Sequence, residues 1–362
     1  MSSSIPDAVL ARAVAVAFGA GARVTQGQPL HGDASSRRYV RLHLDGATVP
    51  TAVAMLLGEG RFAGSDEIGG GTSAELPYVN VGRWLAARSF PVPALYADRA
   101  REDGVLLLED IGDLTLWAAV DADPPRTEPL FAAAVDLLAR LQLAGARHHD
   151  AACVAFGRRF DGALARAELE HFLDHGIETR HARVLDASER AELLAGLAPL
   201  EQPFIGGPFV LSHRDYMAWN LHVQDGGLRM IDFQDALLAP DAFDLAQLLT
   251  DRTTIRRVGD ALAASMTARF RRAMAAGGLP VAEGFDGRYH RCVLQHALKV
   301  IGRFYYLEQV QRRPGYLAYL PAVYAVGRRA LDSMPELAPV RRHVARWVPE
   351  LGPSERDAAG AR

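Results

Sequence analysis

His213-Arg214-Asp215-Tyr216-Met217-Ala218-Trp219-Asn220, with Asp232-Phe233-Gln234 following twelve residues after Asn220, is the most informative segment of this 362-residue chain. Its layout is H-R-D-x-x-x-x-N followed by D-F. The apolar runs Phe209-Val210-Leu211 before the loop and Leu228-Arg229-Met230-Ile231 before Asp232 read as two short strands flanking a polar loop. Any one of Asp215, Asn220 and Asp232 alone is equally well explained as a turn or cap residue, since Asp and Asn favour such positions for backbone reasons. Spacing and context together, with a strand ahead of each acid, set the group apart.

Phosphoryl transfer asks for little covalent chemistry from a protein. It needs a carboxylate that orients the attacking hydroxyl and accepts its proton, and oxygen ligands that hold Mg²⁺ on the phosphates. Asp215 fits the base, while the amide oxygen of Asn220 and the carboxylate of Asp232 fit the metal.

Upstream of the loop, residues 5–23 read as a helix with Pro6 near its first turn. Acidic Asp7 and the lack of a basic leader argue against a signal peptide, and the ten apolar residues 13–22 are too few to span a bilayer. Residues 38–44 alternate, Asp45-Gly46 signals a tight turn, and residues 49–57 resume an apolar strand, so a hairpin is expected. A helix over 76–87 and short strands at 94–97 and 105–109 complete a small mixed lobe, residues 1–110. Beyond it the spacing turns helical, over 128–145, 160–175 and 187–197, the last with an Asp186/Glu189 capping box. Helices resume from about Phe243, broken at Gly277-Gly278-Leu279-Pro280 and Arg313-Pro314-Gly315. The expected fold class is α+β and bilobal: an N-terminal sheet lobe, a mainly helical lobe over 111–352 carrying a loop-bearing hairpin, and a polar tail over 353–362.

The balance of 40 basic against 43 acidic residues gives no global field to attract nucleic acid or an anionic membrane. Cys153 and Cys292 are isolated and read as buried free thiols, which makes a reducing cytoplasm the expected setting. Lys299 is the single lysine of the chain.

With Gly32-Asp33-Ala34-Ser35-Ser36-Arg37-Arg38-Tyr39, Leu106-Leu107-Leu108-Glu109-Asp110-Ile111-Gly112-Asp113 and Pro240-Asp241-Ala242-Phe243-Asp244-Leu245-Ala246, the loop resembles the aminoglycoside phosphotransferase and choline kinase superfamily. Ile231-Asp232-Phe233-Gln234-Asp235-Ala236 and Leu298-Lys299-Val300-Ile301-Gly302-Arg303-Phe304 look most like its anomeric kinases of N-acetylmuramate and N-acetylglucosamine. The resemblance implies a protein-kinase-like fold and ATP- and Mg²⁺-dependent phosphorylation of a small-molecule amino sugar at its C1 hydroxyl in peptidoglycan recycling. It implies neither a nucleic acid nor a membrane partner. By the same resemblance Gly32, Asp33, Ser35, Ser36 and Arg38 cover the ATP phosphates, and backbone atoms of Glu109 and Ile111 hold the adenine edge. Asp244 is then a structural acid bracing the loop, and His213 either braces Asp232 or simply packs.

Three departures stand out. The strand Ala52-Val53-Ala54-Met55-Leu56-Leu57 lacks the lysine of protein kinases, and Glu75, Asn80 and Arg83 do not clearly supply its partner. Arg37, Arg38 or Arg41 could bring the charge instead; without one, a catalytically inactive nucleotide-binding module is the alternative. Met217-Ala218-Trp219 is apolar, and Trp219 either stacks on a sugar face or packs the loop. Glu168, Glu170, His171, His296, Arg303, Tyr305 and Tyr306 lie on helices expected to face the acceptor. Mixed charge over 158–180 fits a neutral or anionic sugar better than a polycationic aminoglycoside, although an aminoglycoside or amino alcohol remains the alternative acceptor.

Overall fold

A computed structural model describes residues 7–30, 38–57, 75–252 and 254–353. In chain order the elements begin α1 (Asp7–Phe18), β1 (Arg23–Leu30), β2 (Arg38–Asp45), β3 (Thr51–Leu56), α2 (Pro77–Ala86), β4 (Leu95–Arg99) and β5 (Val105–Glu109). Next come α3 (Leu116–Ala122), α4 (Thr127–Arg147), α5 (Gly162–His171), α6 (Ala187–Leu197), α7 (Gln202–Gly206), β6 (Phe209–Ser212), β7 (Leu221–Gln224), β8 (Gly227–Met230) and β9 (Leu237–Pro240). The last are α8 (Phe243–Thr250), α9 (Asp260–Ala276), α10 (Phe285–Tyr305), α11 (Leu320–Asp332) and α12 (Ala338–Trp347). The chain divides into two compact units, Met1–Leu114 with Leu221–Asp235, and Thr115–Asn220 with Ala236–Arg362.

The first unit is built on a five-stranded antiparallel sheet ordered β1-β2-β3-β5-β4. Leu10, Ala13 and Val14 of α1 recur at helical spacing and are buried in one cluster with Leu42, Ala52, Ala54, Val105 and Leu107 of the sheet. The β2–β3 connection runs over residues 46–50, longer than the expected two-residue turn. Gly46 sits at φ +71°, with its missing Cβ facing Gly21 O, and Pro50 has no N–H to donate, so β3 starts only at Thr51. Three contacts fasten the β7–β8 hairpin to this sheet unit. Arg229 donates to Val92 O at 3.0 Å and pairs with Glu109, while Met230 N–H donates to Pro91 O at 2.8 Å.

The second unit is mainly helical. Phe160, Phe204 and Phe243 meet at centroid distances of 4.7, 4.9 and 5.8 Å in its centre. The Asp186/Glu189 capping box forms as expected. Residues 124–147 are long and apolar enough to cross a membrane by length and composition, yet Phe131, Ala134, Val135 and Leu138 are fully buried within the unit. Asp241 is buried and takes a bidentate pair from Arg288 at 2.9 and 2.8 Å. Beyond His171, α5 continues as a wider π-helical stretch, Phe172–Thr179, and beyond Tyr305 α10 continues the same way over Tyr306–Val310.

The two strands expected to flank the catalytic loop do not pair with each other. β6 pairs with β9 in the helical unit, and β8 pairs with β7 in the sheet unit.

Candidate functional site

The loop after β6 is held from below by one carboxylate. Asp244, in the first turn of α8, accepts from Ser212 Oγ at 2.7 Å, His213 N–H at 2.7 Å and Arg214 N–H at 3.1 Å. Burial pushes the Asp244 carboxyl up from its ordinary value, opposed by the nearby His213 and these three hydrogen bonds. Arg214 adopts φ +74°, a left-handed conformation that a non-glycine residue keeps only when its surroundings over-determine it. Tyr216 is fully buried; its hydroxyl donates to Ala134 O at 2.8 Å and its N–H to Gln247 Oε1 at 3.2 Å. Asp215 is thus fixed between two buried anchors while staying partly open to solvent. Its carbonyl accepts from Met217 N–H and from Asn220 Nδ2, both at 2.9 Å, which closes the turn. His213 is buried with its ring 5.7 Å from Tyr216.

Asp232 belongs to the sheet unit, just past β8, also in a left-handed conformation at φ +64°. Gln234 Nε2 donates to its Oδ1 at 2.8 Å and to Asp235 Oδ2 at 3.1 Å, and Phe233 packs on Tyr78 at 4.8 Å. Asn220 commits its NH₂ to the Asp215 carbonyl, and Asp232 takes Gln234 on Oδ1; each side chain by itself also carries an oxygen of the kind magnesium takes. Among the described residues no trio of His, Cys, Asp or Glu is grouped to hold a metal.

Gly32, Asp33, Ser35, Ser36 and Arg37 lie outside the described residues, and Arg38 opens β2 as an exposed residue. Arg41 is not available for phosphate. It forms a double fork with Asp110, at 2.7 and 2.9 Å, and with Asp113, at 2.7 and 2.8 Å. These hydrogen bonds hold the guanidinium charged and keep both acids below the ordinary carboxylate range, although burial opposes the shift at Asp110. β3 carries no lysine, and Glu75 takes Asn80 at 3.1 Å and Arg83 instead. Glu109 spends its side chain on Ala94 N–H and Arg229, and Ile111 is buried in the same segment.

On the helical unit, Glu168 bridges Lys299 Nζ at 2.8 Å and Gln295 Nε2 at 2.6 Å. Desolvation works against the Lys299 charge, but Glu168 and then Asp215 raise its pKa, which ties this pair electrostatically to the catalytic loop. His171, His175 and Tyr306 cluster with centroids 4.6, 5.6 and 4.8 Å apart, and Arg303 lies over Tyr306 at 5.5 Å. Glu170 stands off this line, its charge raising the pKa of Glu201 together with burial. Tyr305 belongs to another group, facing Tyr324 and Arg180. Trp219 leaves 39% of its surface exposed.

Sequence reasoning quoted Gln234 only as part of a motif and gave it no role, and it missed Gln295, an amide that carries no signal of its own. Lys299 did carry one: it is the single lysine among 40 basic residues.

Residues 26–277 match the model of the APH phosphotransferase enzyme family. The chain is 31% identical over 271 residues to an N-acetylmuramate/N-acetylglucosamine kinase of Pseudomonas aeruginosa, covering 72% of this chain and 75% of that one. It is 30% identical over 355 residues to a kinase of the same name from Caulobacter vibrioides, covering 89% and 92%. Among solved structures, ADP-bound aminoglycoside phosphotransferase APH(2'')-Ib is similar at a TM-score of 0.52 and 12% identity, over 84% of this chain and 92% of that one; the shared fold is protein-kinase-like. With its loop, its sheet and its helical unit all within that pattern, the chain belongs to the APH phosphotransferase enzyme family and is a kinase that transfers phosphate to a hydroxyl.

Proposed function

We propose that the protein is a cytoplasmic kinase that uses ATP and Mg²⁺ to phosphorylate the anomeric hydroxyl of N-acetylmuramate and N-acetylglucosamine. The observation that carries the reading is the loop itself: Asp215, partly open, held rigid by Asp244 beneath and by Asn220 across the turn. Asp215 orients the sugar hydroxyl and accepts its proton; an anomeric hydroxyl is more acidic than an ordinary alcohol, so one carboxylate suffices. Asn220 and Asp232 hold Mg²⁺, which when bound offsets the charge of the phosphate oxygens. Gln234 keeps Asp232 turned for that task, and Trp219 offers an exposed ring to a sugar face. Arg37 and Arg38 remain as sources of the positive charge that Arg41 does not supply.

The test is Mg²⁺-dependent ADP release with each amino sugar, choline and an aminoglycoside, alongside phosphorus NMR of the product. Turnover confined to the amino sugars, with phosphate on C1, is expected. Asp215→Asn should lower kcat by about 10²–10⁴-fold, the usual contribution of a positioned base. Turnover on choline or the aminoglycoside alone, or a fully active Asp215→Asn, would overturn the reading.

A further inference from the structure

α5 and α10 touch at backbone distance. A Cβ on Gly302 would lie 2.8 Å from Phe172 Cα and 2.9 Å from His171 O, so the two helices meet where no side chain separates them. Glu168, His171 and His175 recur on one helix at spacings of three and four, and Lys299, Arg303 and Tyr306 do so on the other, which puts each trio on one helical face. Contacts join the two trios: Glu168 with Lys299, His171 with Tyr306, His175 with Tyr306. Polar side chains therefore line this crossing in sequence, and the Lys299 end of the row is the one that senses Asp215.

The charges along the row do not balance. Glu168 is taken by Lys299 and Gln295. The other acids nearby are spent too: Asp174 pairs with Arg190 at 2.7 Å, and Glu178 faces Arg190 at 3.5 Å and accepts from Leu185 N–H at 3.0 Å. Arg303 is left over Tyr306 with no carboxylate paired to it among the described residues. Beside it, His171 Nε2 is a buried ring nitrogen with no hydrogen-bond partner. Burial, then His175 and Arg303, push the His171 pKa down to about 4, so at neutral pH the ring is uncharged and adds a hydrogen-bond donor or acceptor without adding charge. Tyr306 accepts from Gln311 Nε2 at 3.0 Å, which leaves its own O–H to donate.

We infer that Arg303, with His171 and Tyr306, forms a subsite for a carboxylate carried by the acceptor, and that it sets the preference for an acidic over a neutral amino sugar. An unpaired guanidinium beside an orphaned imidazole nitrogen and a free hydroxyl proton is a complement for a carboxylate. Arg303 stands one turn of α10, about 6 Å along its axis, from Lys299. The inference rests on the amino-sugar reading above and adds to it the group that tells the two sugars apart.

The test is calorimetric binding of N-acetylmuramate and N-acetylglucosamine to the full chain, with kcat/KM for each where turnover occurs. Arg303→Gln and Arg303→Lys are compared with the parent. The parent should prefer the acidic sugar, Arg303→Gln should reduce the acid-to-neutral ratio of Kd or kcat/KM by tenfold or more on the scale of a lost charge-assisted pair, and Arg303→Lys should retain part of it. Equal binding of the two sugars by the parent, or an unchanged ratio in Arg303→Gln, overturns the subsite. Failure to phosphorylate either sugar instead overturns the amino-sugar reading, while the binding ratio still decides the subsite.

Discussion

Asp244 shows how one buried acid can shape a catalytic loop without touching substrate. Its three bonds take up backbone and hydroxyl donors that would otherwise be left buried and unpaired, a cost of about 1–3 kcal/mol for each such group. Arg214, a non-glycine residue at positive φ in that loop, is held in its conformation by such bonding. At the same scale, His296 carries a pH signature. Burial, helped by Lys299, pushes its pKa down to about 3 from an ordinary 6.5. The unfolded chain therefore takes up the proton first as pH falls. The stability that goes with neutral His296 is complete above pH 6.5 and is lost as pH drops toward 3, at roughly 1.4 kcal/mol for each pH unit crossed. Urea melts of His296→Gln between pH 7 and 4 should show a shallower fall in stability than the parent. Parallel curves would refute that assignment. Asp215, Asn220 and Asp232 are proposed from sequence because their spacing is a chemical pattern. The Arg41 fork was not legible there, because partners about 70 residues along the chain leave no local trace.

At the level of elements, legibility followed apolar periodicity. α4, with its buried stripe, and β5, with four consecutive buried residues, stood out. β1, RVTQGQPL, did not: none of its residues is fully buried, so its sequence lacks the alternation that marks a half-buried strand. β7 and β9 are four residues each, and they take as partners β8 and β6, the two strands expected to pair with each other. The contact of α5 with α10 depends on a glycine that sequence reading passed over. Gly302→Ala would place a methyl group against the Phe172 and His171 backbone, which cannot swing aside as a side chain could. The overpacking should cost about 1–3 kcal/mol, only partly offset by up to about 1 kcal/mol of better helix propensity. Thermal melts should show the loss, and the KM for the acceptor should rise because Glu168 and Lys299 are pushed apart; an alanine variant as stable as the parent would contradict the close approach.

Across the whole chain, the two units do not follow the order of the sequence, since residues 221–235 leave the helical unit to join the sheet unit through Arg229 and Met230. Sequence alone placed that segment with the helices around it, because long-range backbone bonds are invisible to local pattern. Lys299, in the middle of α10 and bound to Glu168, gives the molecule one further property. A protease that cuts only after lysine has a single target in the entire chain, and it is folded into a helix that such an enzyme cannot thread. Digestion should therefore yield just two fragments, at a rate set by how often α10 opens. A bound acceptor should slow that cut and mild urea should hasten it, so one band on a gel becomes a clock for the opening of the helical unit.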